Sequence, residues 1–282
     1  EMEEVFGHKV HLFLFVKVRD NWIDDPERYR MMGIDYAGAV NEWNAEGVVL
    51  SSRRHGETSV IIEVFTKEFG RCAGLVRGGT GRQLRPVLQP GNSVQAEWKA
   101  RLSEHLGVFN VEATTARVAG AMAHPETLAA LTSVCALLRF LPERNGYPRL
   151  YDTTCTLLDN LEDEDVWLPL LVRFELALLE ETGFGLDLES CAANGSNLNL
   201  THISPRSGRA VSAEAAEPYL DKLFPMPQFF KDSSASVSLE DVKNGLAITG
   251  HFLTVRLLHQ LEQNMPESRA RLLHMLDDLA DF

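Results

Sequence analysis

Apolar and polar positions alternate with a period of two after Trp43 and switch to a period near 3.6 after Pro125. Gly47 to Ser51 (GVVLS) is a short apolar run. Beyond the polar break RRHGE, the stretch TSVIIEVFT places Val60, Ile62 and Val64 on one face, and Glu68-Phe69-Gly70 turns the chain into RCAGLVR. Ser93 to Leu102 is the clearest strand: Val94, Ala96, Trp98, Ala100 and Leu102 alternate with Gln95, Glu97, Lys99 and Arg101. A fifth run, LGVFNVEA, follows a break at Glu104-His105. Five short strands over about 70 residues, joined by Gly-bearing turns, predict a small closed barrel of the five-stranded OB type rather than a sandwich.

The second half reads as helices. Leu128, Leu131, Val134, Cys135, Leu138 and Leu141 make one stripe, ended by Pro142. Leu150, Leu157, Leu158 and Leu161 make another, and Leu171, Phe174, Leu178 and Thr182 a third that Gly183 closes as a C-cap. Leu246, Gly250, Leu253, Leu257 and Leu261 line a further helix, and Leu272, Leu276 and Leu279 a last one. The expected class is therefore mixed α+β: an N-terminal barrel over 42–120, then a helical domain over 121–282 with a loop-rich insert at about 187–212. Residues 1–41 carry no chemistry and read as an N-terminal extension of open status: a real extension, a tag or sequence upstream of the natural start.

Composition narrows the classes. With 282 residues and 45% hydrophobic positions, the chain can bury a substantial core. No apolar run approaches the roughly 20 residues of a membrane span. The longest candidate, Val10 to Val18, contains Lys17, and the acidic start EMEE is not the basic lead of a secretory signal. Cys72, Cys135, Cys155 and Cys191 are scattered without a CxxC pair, which predicts reduced thiols in a cytoplasm.

The net charge of −13 is unevenly spread. Residues 1–43 sum to about −4, residues 44–120 to about +3 and residues 121–282 to about −12. Phosphate responds to local potential, so a basic patch on the barrel is compatible with an acidic helical half. The candidates follow from that: Arg53 and Arg54 at the end of the first strand, and Lys67 and Arg71 around the second turn. Arg77, Arg82 and Arg85 surround the loop VRGGTGRQLRP, and Lys99 and Arg101 lie on the fourth strand's outer face. Most bracket strand ends and loops, where OB barrels hold ligands, and arginine both grips phosphate and stacks on bases. The loop RGGTGR is neither a P-loop, lacking Lys-Ser/Thr, nor a dinucleotide fingerprint. No GxSxG or HExxH occurs, and Glu162 to Asp165 falls between two helical stripes as a solvated turn. Cys191 and His202 share one loop region, but two ligands do not make a zinc site. No catalytic residues and no metal are expected.

Several blocks together resemble the bacterial recombination mediator family RecO. They are EWNAEGVVLSSRRHGETSVIIEVFTKEFGRCAGLVRGG, RPVLQPGNSVQAEW, FELALLEETGFGLDLESC, SPRSGRAVS and TGHFLTVRLL, in order from about Trp43 to near the C-terminus. The resemblance implies an OB-fold followed by a helical domain. It also implies binding of single- and double-stranded DNA, strand annealing, partnership with RecR, contact with the acidic tail of single-stranded DNA-binding protein, and help in loading RecA during gap repair. The family's basic barrel surface would fall on Arg53, Arg54, Lys67, Arg71, Arg77, Arg82 and Arg85. Some members bind zinc through four cysteines near Gly183-Phe184-Gly185 and beyond. This chain keeps Cys191, with Asn194, Ser204 and Ser207 where partners would stand, so zinc is not expected and the loop must be held by packing and hydrogen bonds.

Two further expectations concern proteins as partners. The helices around Phe174 and Leu253 could form a groove for a partner's peptide, with Arg173 or Arg256 meeting a terminal carboxylate. The competing class is a non-catalytic adaptor whose barrel binds peptide while the acidic half repels DNA. Retention on single-stranded DNA with salt elution separates it from a DNA binder.

Overall fold

A computed structural model describes residues 42–101 and 106–278. The expectations for residues 1–41, Leu102, the break at Glu104-His105 and Leu279 lie outside the described residues. Five strands close a barrel in the order β1-β2-β3-β5-β4: β1 (Glu42–His55), β2 (Ser59–Thr66), β3 (Gly70–Val76), β4 (Ser93–Lys99) and β5 (Gly107–Thr115). Between β3 and β4, the short helix α1 (Leu84–Val87) plugs one end of the barrel, with Leu84, Val87 and the buried Leu88 against its core. Trp43, Trp98 and Phe109 stack or meet edge-on within that core. The fold is thus mixed α+β with an N-terminal five-stranded barrel of the OB type, as the alternation predicts.

Two strand boundaries differ from the pattern-based expectation. β1 runs for 14 residues, from Glu42 through the polar stretch SSRRH, and so extends beyond the apolar run Gly47 to Ser51 at both ends. Its first half pairs with β4 and its second half with β2, so backbone pairing carries it past the apolar run. The fourth strand ends at Lys99, leaving Arg101 in a bend instead of on the strand's face.

Beside a bulge between Val49 and Ser51, β1 divides its side chains between two cores. A bulge inserts one unpaired residue and re-aims the side chains beside it. Val49 faces the barrel interior, whereas Val48 and Leu50 join the core of the helical layer. Phe65 of β2 does the same, its ring 5.8 Å from that of Tyr151. One side of the barrel is therefore part of the helical core.

The helical layer contains α2 (Val118–Ala121), α3 (Pro125–Leu138), α4 (Pro148–Asp159) and α5 (Trp167–Glu181). Proline opens both α3 and α4, where its missing N–H costs nothing. At the end of α5, Gly183 adopts φ +83° and the Phe184 N–H reaches back to the Leu179 carbonyl at 2.7 Å, a Schellman closure. The region predicted as a loop-rich insert holds β6 (Leu200–Ile203) and β7 (Ala210–Ser212), which pair with each other. The short helix α6 (Ala213–Ala216) follows, and β8 (Phe224–Pro225) completes a small sheet of order β7-β6-β8. Next, α7 (Leu239–Phe252) starts at a capping box between Ser238 and Asp241 and continues as one π-helical segment, Leu253–Leu258. Leu261 lies beyond it and is exposed, so the predicted stripe ends earlier than its spacing implied.

The last helix, α8 (Glu267–Asp278), packs on α3 and carries Arg269 into the interior. There Arg269 makes a bidentate pair with Glu175 of α5, with N–O distances of 2.7 and 2.8 Å. The Thr249 hydroxyl donates to the same carboxylate.

Candidate nucleic-acid interface

Arg53 and Arg54 end β1 at the β1–β2 turn, where Gly56 takes φ +64°. Arg77 follows β3 immediately, and Arg82 and Arg85 flank or enter α1. One interaction joins these segments: Thr80 donates its backbone N–H to the Thr58 carbonyl at 3.2 Å, and its hydroxyl reaches the same oxygen. Gly79 fits directly over Val60, where an added Cβ would come within 2.9 Å of that side chain. The Gly-rich loop is therefore docked on the β1–β2 hairpin.

Docking gathers Arg53, Arg54, Arg77, Arg82 and Arg85 at one end of the barrel. All five are exposed, and among the described residues none is in an ion pair. Glu57 is the only carboxylate within the two segments 53–58 and 77–85. Arg54 donates to the Glu57 backbone carbonyl, a contact that leaves its charge uncompensated. Five guanidiniums held at a loop cluster make a surface for polyanionic phosphate, and each offers a planar fork to its oxygens.

The remaining basic candidates sit elsewhere. Lys67 pairs with Asp152 of α4 at 2.8 Å, and that hydrogen bond raises its pKa. Arg71 bonds Glu63 at 2.7 Å, Glu143 at 3.4 Å and the Leu141 carbonyl at 3.0 Å. Its side chain is 15% exposed, and these bonds make Arg71 a tie between the barrel and the α3–α4 connection. Burial would push the Glu63 carboxyl up, but the Ser51 hydroxyl and the guanidiniums of Arg139 and Arg71 outweigh it and hold it below its ordinary value. In an OB barrel the β2–β3 wall is the usual ligand face. Here Phe65, Glu63, Lys67, Gly70 and Arg71 engage the helical layer, so part of that wall is covered. Lys99 lies at the other end of β1 from Arg53 and pairs with Glu97 and Glu42. Arg101 is exposed beside residues outside the described set.

The proposed peptide groove is not formed by the residues named for it. Phe174 and Leu253 are fully buried in the helical core and cannot touch a partner in this fold. Arg173 donates to the Phe229 carbonyl at 3.0 Å. Arg256 lies over the Phe252 ring, its carbon 4.5 Å from the centroid, and donates to the carbonyls of Ser207 and Phe184. That clamp fixes the turn 204–208 to α7, and Gly208 leaves room for it, since a Cβ there would strike the guanidinium at 2.8 Å. Spacing alone hides such ties, because their acceptors are backbone carbonyls far away in sequence.

The vicinity of Cys191 does not fit zinc. Its buried sulfur accepts from the Ser212 N–H at 3.3 Å, the Ala193 N–H at 3.4 Å and the Ser212 hydroxyl at 3.5 Å. Burial would raise the thiol's pKa, but those donors outweigh it and bring it down to about 7. Asn194 bonds the Ser212 hydroxyl and the Ser196 N–H, and Ser207 accepts from the Arg209 N–H. Among the described residues, no three His, Cys, Asp or Glu side chains gather as a metal site. One thiol ringed by hydrogen-bond donors is a hydrogen-bonded core.

The described residues define a class by architecture: an OB-type barrel with exposed arginines at one end, built onto a helical layer. Comparison with known sequences makes this specific. The family described as Recombination protein O N terminal matches residues 40–117, and Recombination protein O C terminal matches residues 122–265. The DNA repair protein RecO of Beijerinckia indica is 49% identical over 230 residues, covering 81% of this chain and 92% of that protein. RecO of Dinoroseobacter shibae is 48% identical over 237 residues, 83% of this chain and 98% of its own. RecO of Methylorubrum extorquens is 44% identical over 236 residues, 82% and 96% respectively. The chain belongs to the RecO family of DNA repair proteins. No helix among the described residues is long and apolar enough to cross a membrane.

Proposed function

We propose that this chain is a DNA-binding recombination mediator that works in the cytoplasm without catalysis and without a metal. It holds single- and double-stranded DNA at the arginine end of the barrel, anneals complementary strands, and assists RecA loading together with RecR. Contact with the acidic tail of single-stranded DNA-binding protein would bring it to gaps. The observation that carries the reading is the cluster of Arg53, Arg54, Arg77, Arg82 and Arg85, exposed and without carboxylate partners among the described residues. Family membership supports the repair context.

Annealing requires that backbone repulsion be neutralised while bases stay free to pair, and phosphate contacts from arginine meet both demands. The acidic helical half limits the footprint to the barrel. Five phosphate contacts correspond to a slope of log affinity against log salt of about −4.5 on duplex and about −3.5 on a single strand. An electrophoretic shift assay over a salt series tests this. The Arg77→Glu, Arg82→Glu double variant should bind every sequence at least about tenfold more weakly and with a shallower slope. Salt-insensitive binding, or normal binding by the double variant, would overturn the assignment.

A further inference from the structure

The outer wall of the barrel carries a row of side chains that the arginine cluster and the helical layer leave unexplained. In register, Arg53 of β1 stands opposite Ile61 of β2, Ile61 opposite Leu75 of β3, Leu75 opposite Val108 of β5, and Val108 opposite Lys99 of β4. Their neighbours Val60, Ile62, Val76, Phe109 and Trp98 fill the barrel core. Successive strand residues alternate faces, so these five point outward together. With strands about 4.8 Å apart, the aliphatic centre from Ile61 to Val108 spans about 10 Å.

The row opens progressively to solvent. Ile61 is buried, Leu75 half-buried and Val108 38% exposed. Leu106, just ahead of β5, is 50% exposed. Arg77, just past the end of β3 and without an ion pair among the described residues, borders the row together with Arg53. Lys99 closes the far side, partly neutralised by Glu97 and Glu42.

We propose that Leu75 and Val108 form a platform on which bases of single-stranded DNA rest while Arg53 and Arg77 hold the adjoining phosphates. This rests on the DNA-binding reading of the arginine cluster and adds what that cluster lacks, a means of preferring a single strand. Bases offer apolar faces only when unstacked, so a duplex would meet the arginines alone. Aromatic platforms are not available on the described barrel: Trp43, Trp98 and Phe109 are buried in its core, and Phe69 is stacked on Trp43. The patch is also too small for a folded partner. A few aliphatic side chains fall far short of the roughly 800 Å² per partner that a stable protein interface buries. Their extent suits one or two bases, and the unpaired positive charge beside them complements phosphate.

Fluorescence anisotropy with three probes of equal length tests the platform: oligothymidine, the same backbone without bases, and a duplex. The wild-type protein should bind oligothymidine about fivefold more tightly than the abasic strand, a modest gain because aliphatic contacts are weaker than aromatic stacking. The Leu75→Thr, Val108→Thr double variant keeps side chains suited to strands, and its circular dichroism should match wild type. It should lose that fivefold on oligothymidine and change less than about twofold on the abasic strand and the duplex. Equal wild-type affinity for the abasic and base-bearing strands overturns the proposal whether or not the variant folds. So does an equal loss on all three probes, or full DNA binding combined with lost affinity for an acidic synthetic peptide, which would give the row to a protein. The Arg77→Glu, Arg82→Glu variant separates the two readings. If it binds all three probes normally, the arginine assignment fails; if it fails on all three while Leu75→Thr, Val108→Thr changes nothing, only the platform fails.

Discussion

Replacing Arg269 with methionine would leave the Glu175 carboxylate in the interior without its partner. Glu175 has a fully buried side chain and Arg269 is 4% exposed, so water cannot replace the guanidinium. Two charged hydrogen bonds at 2.7 and 2.8 Å would be lost, and only the Thr249 hydroxyl would still donate to the carboxylate. Breaking one side of a buried ion pair costs about 3–5 kcal/mol, because the remaining charge is uncompensated. At a urea dependence of about 2–3 kcal/mol per M, the unfolding midpoint should fall by about 1–2.5 M. Trp167, buried at the start of α5, reports on that core by fluorescence. The Glu175→Leu, Arg269→Met double variant removes both charges and should regain most of the loss, since well-packed apolar replacements of buried pairs are often neutral. A midpoint for Arg269→Met within about 0.3 M of wild type, or a double variant no more stable than the single, would refute the reasoning.

Other consequences are independent of that pair. Glu63 has its carboxyl pKa held below the ordinary 4.5, so the stability it contributes is complete above that value and is lost as pH falls through the folded-state pKa. Glu63→Gln should therefore flatten the acid limb of a midpoint-against-pH curve, and an unchanged limb would remove Glu63 from the barrel–helix tie. Cys191, lowered to about 7 from 9.0, contributes stability that is full above pH 9 and fades as pH drops towards 7. Urea midpoints should rise from pH 7 to pH 9 in the wild type and rise less in Cys191→Ala. At Gly70, φ is +62° and an added Cβ would lie 1.8 Å from the Asn145 carbonyl oxygen. Gly70→Ala should lower the melting temperature by more than about 5 °C, whereas Gly56→Ala, equally left-handed but in open space, should cost far less.

The period-two alternation determined the barrel, and the shift in period after Pro125 determined the helical half. Both follow from which face of a strand or helix must be buried, and that information is local. The exposure of Arg53, Arg54, Arg77, Arg82 and Arg85 was legible for the same reason: residues at turns and strand ends are exposed by default. Three matters were settled only by tertiary structure. Val48 and Leu50 pack into the helical core while Val49 between them fills the barrel, a division between two cores that the continuous run VVL cannot reveal. Which arginines are free depends on partners far along the chain: Glu143 and the Leu141 carbonyl occupy Arg71, while Thr80 brings Arg77 and Arg82 beside Arg53. Phe174 and Leu253 sit on helical stripes, but a stripe does not say whether another helix already covers it, and here one does. Periodicity records which face is apolar; only the assembled fold decides what occupies that face and which charges are left for a ligand.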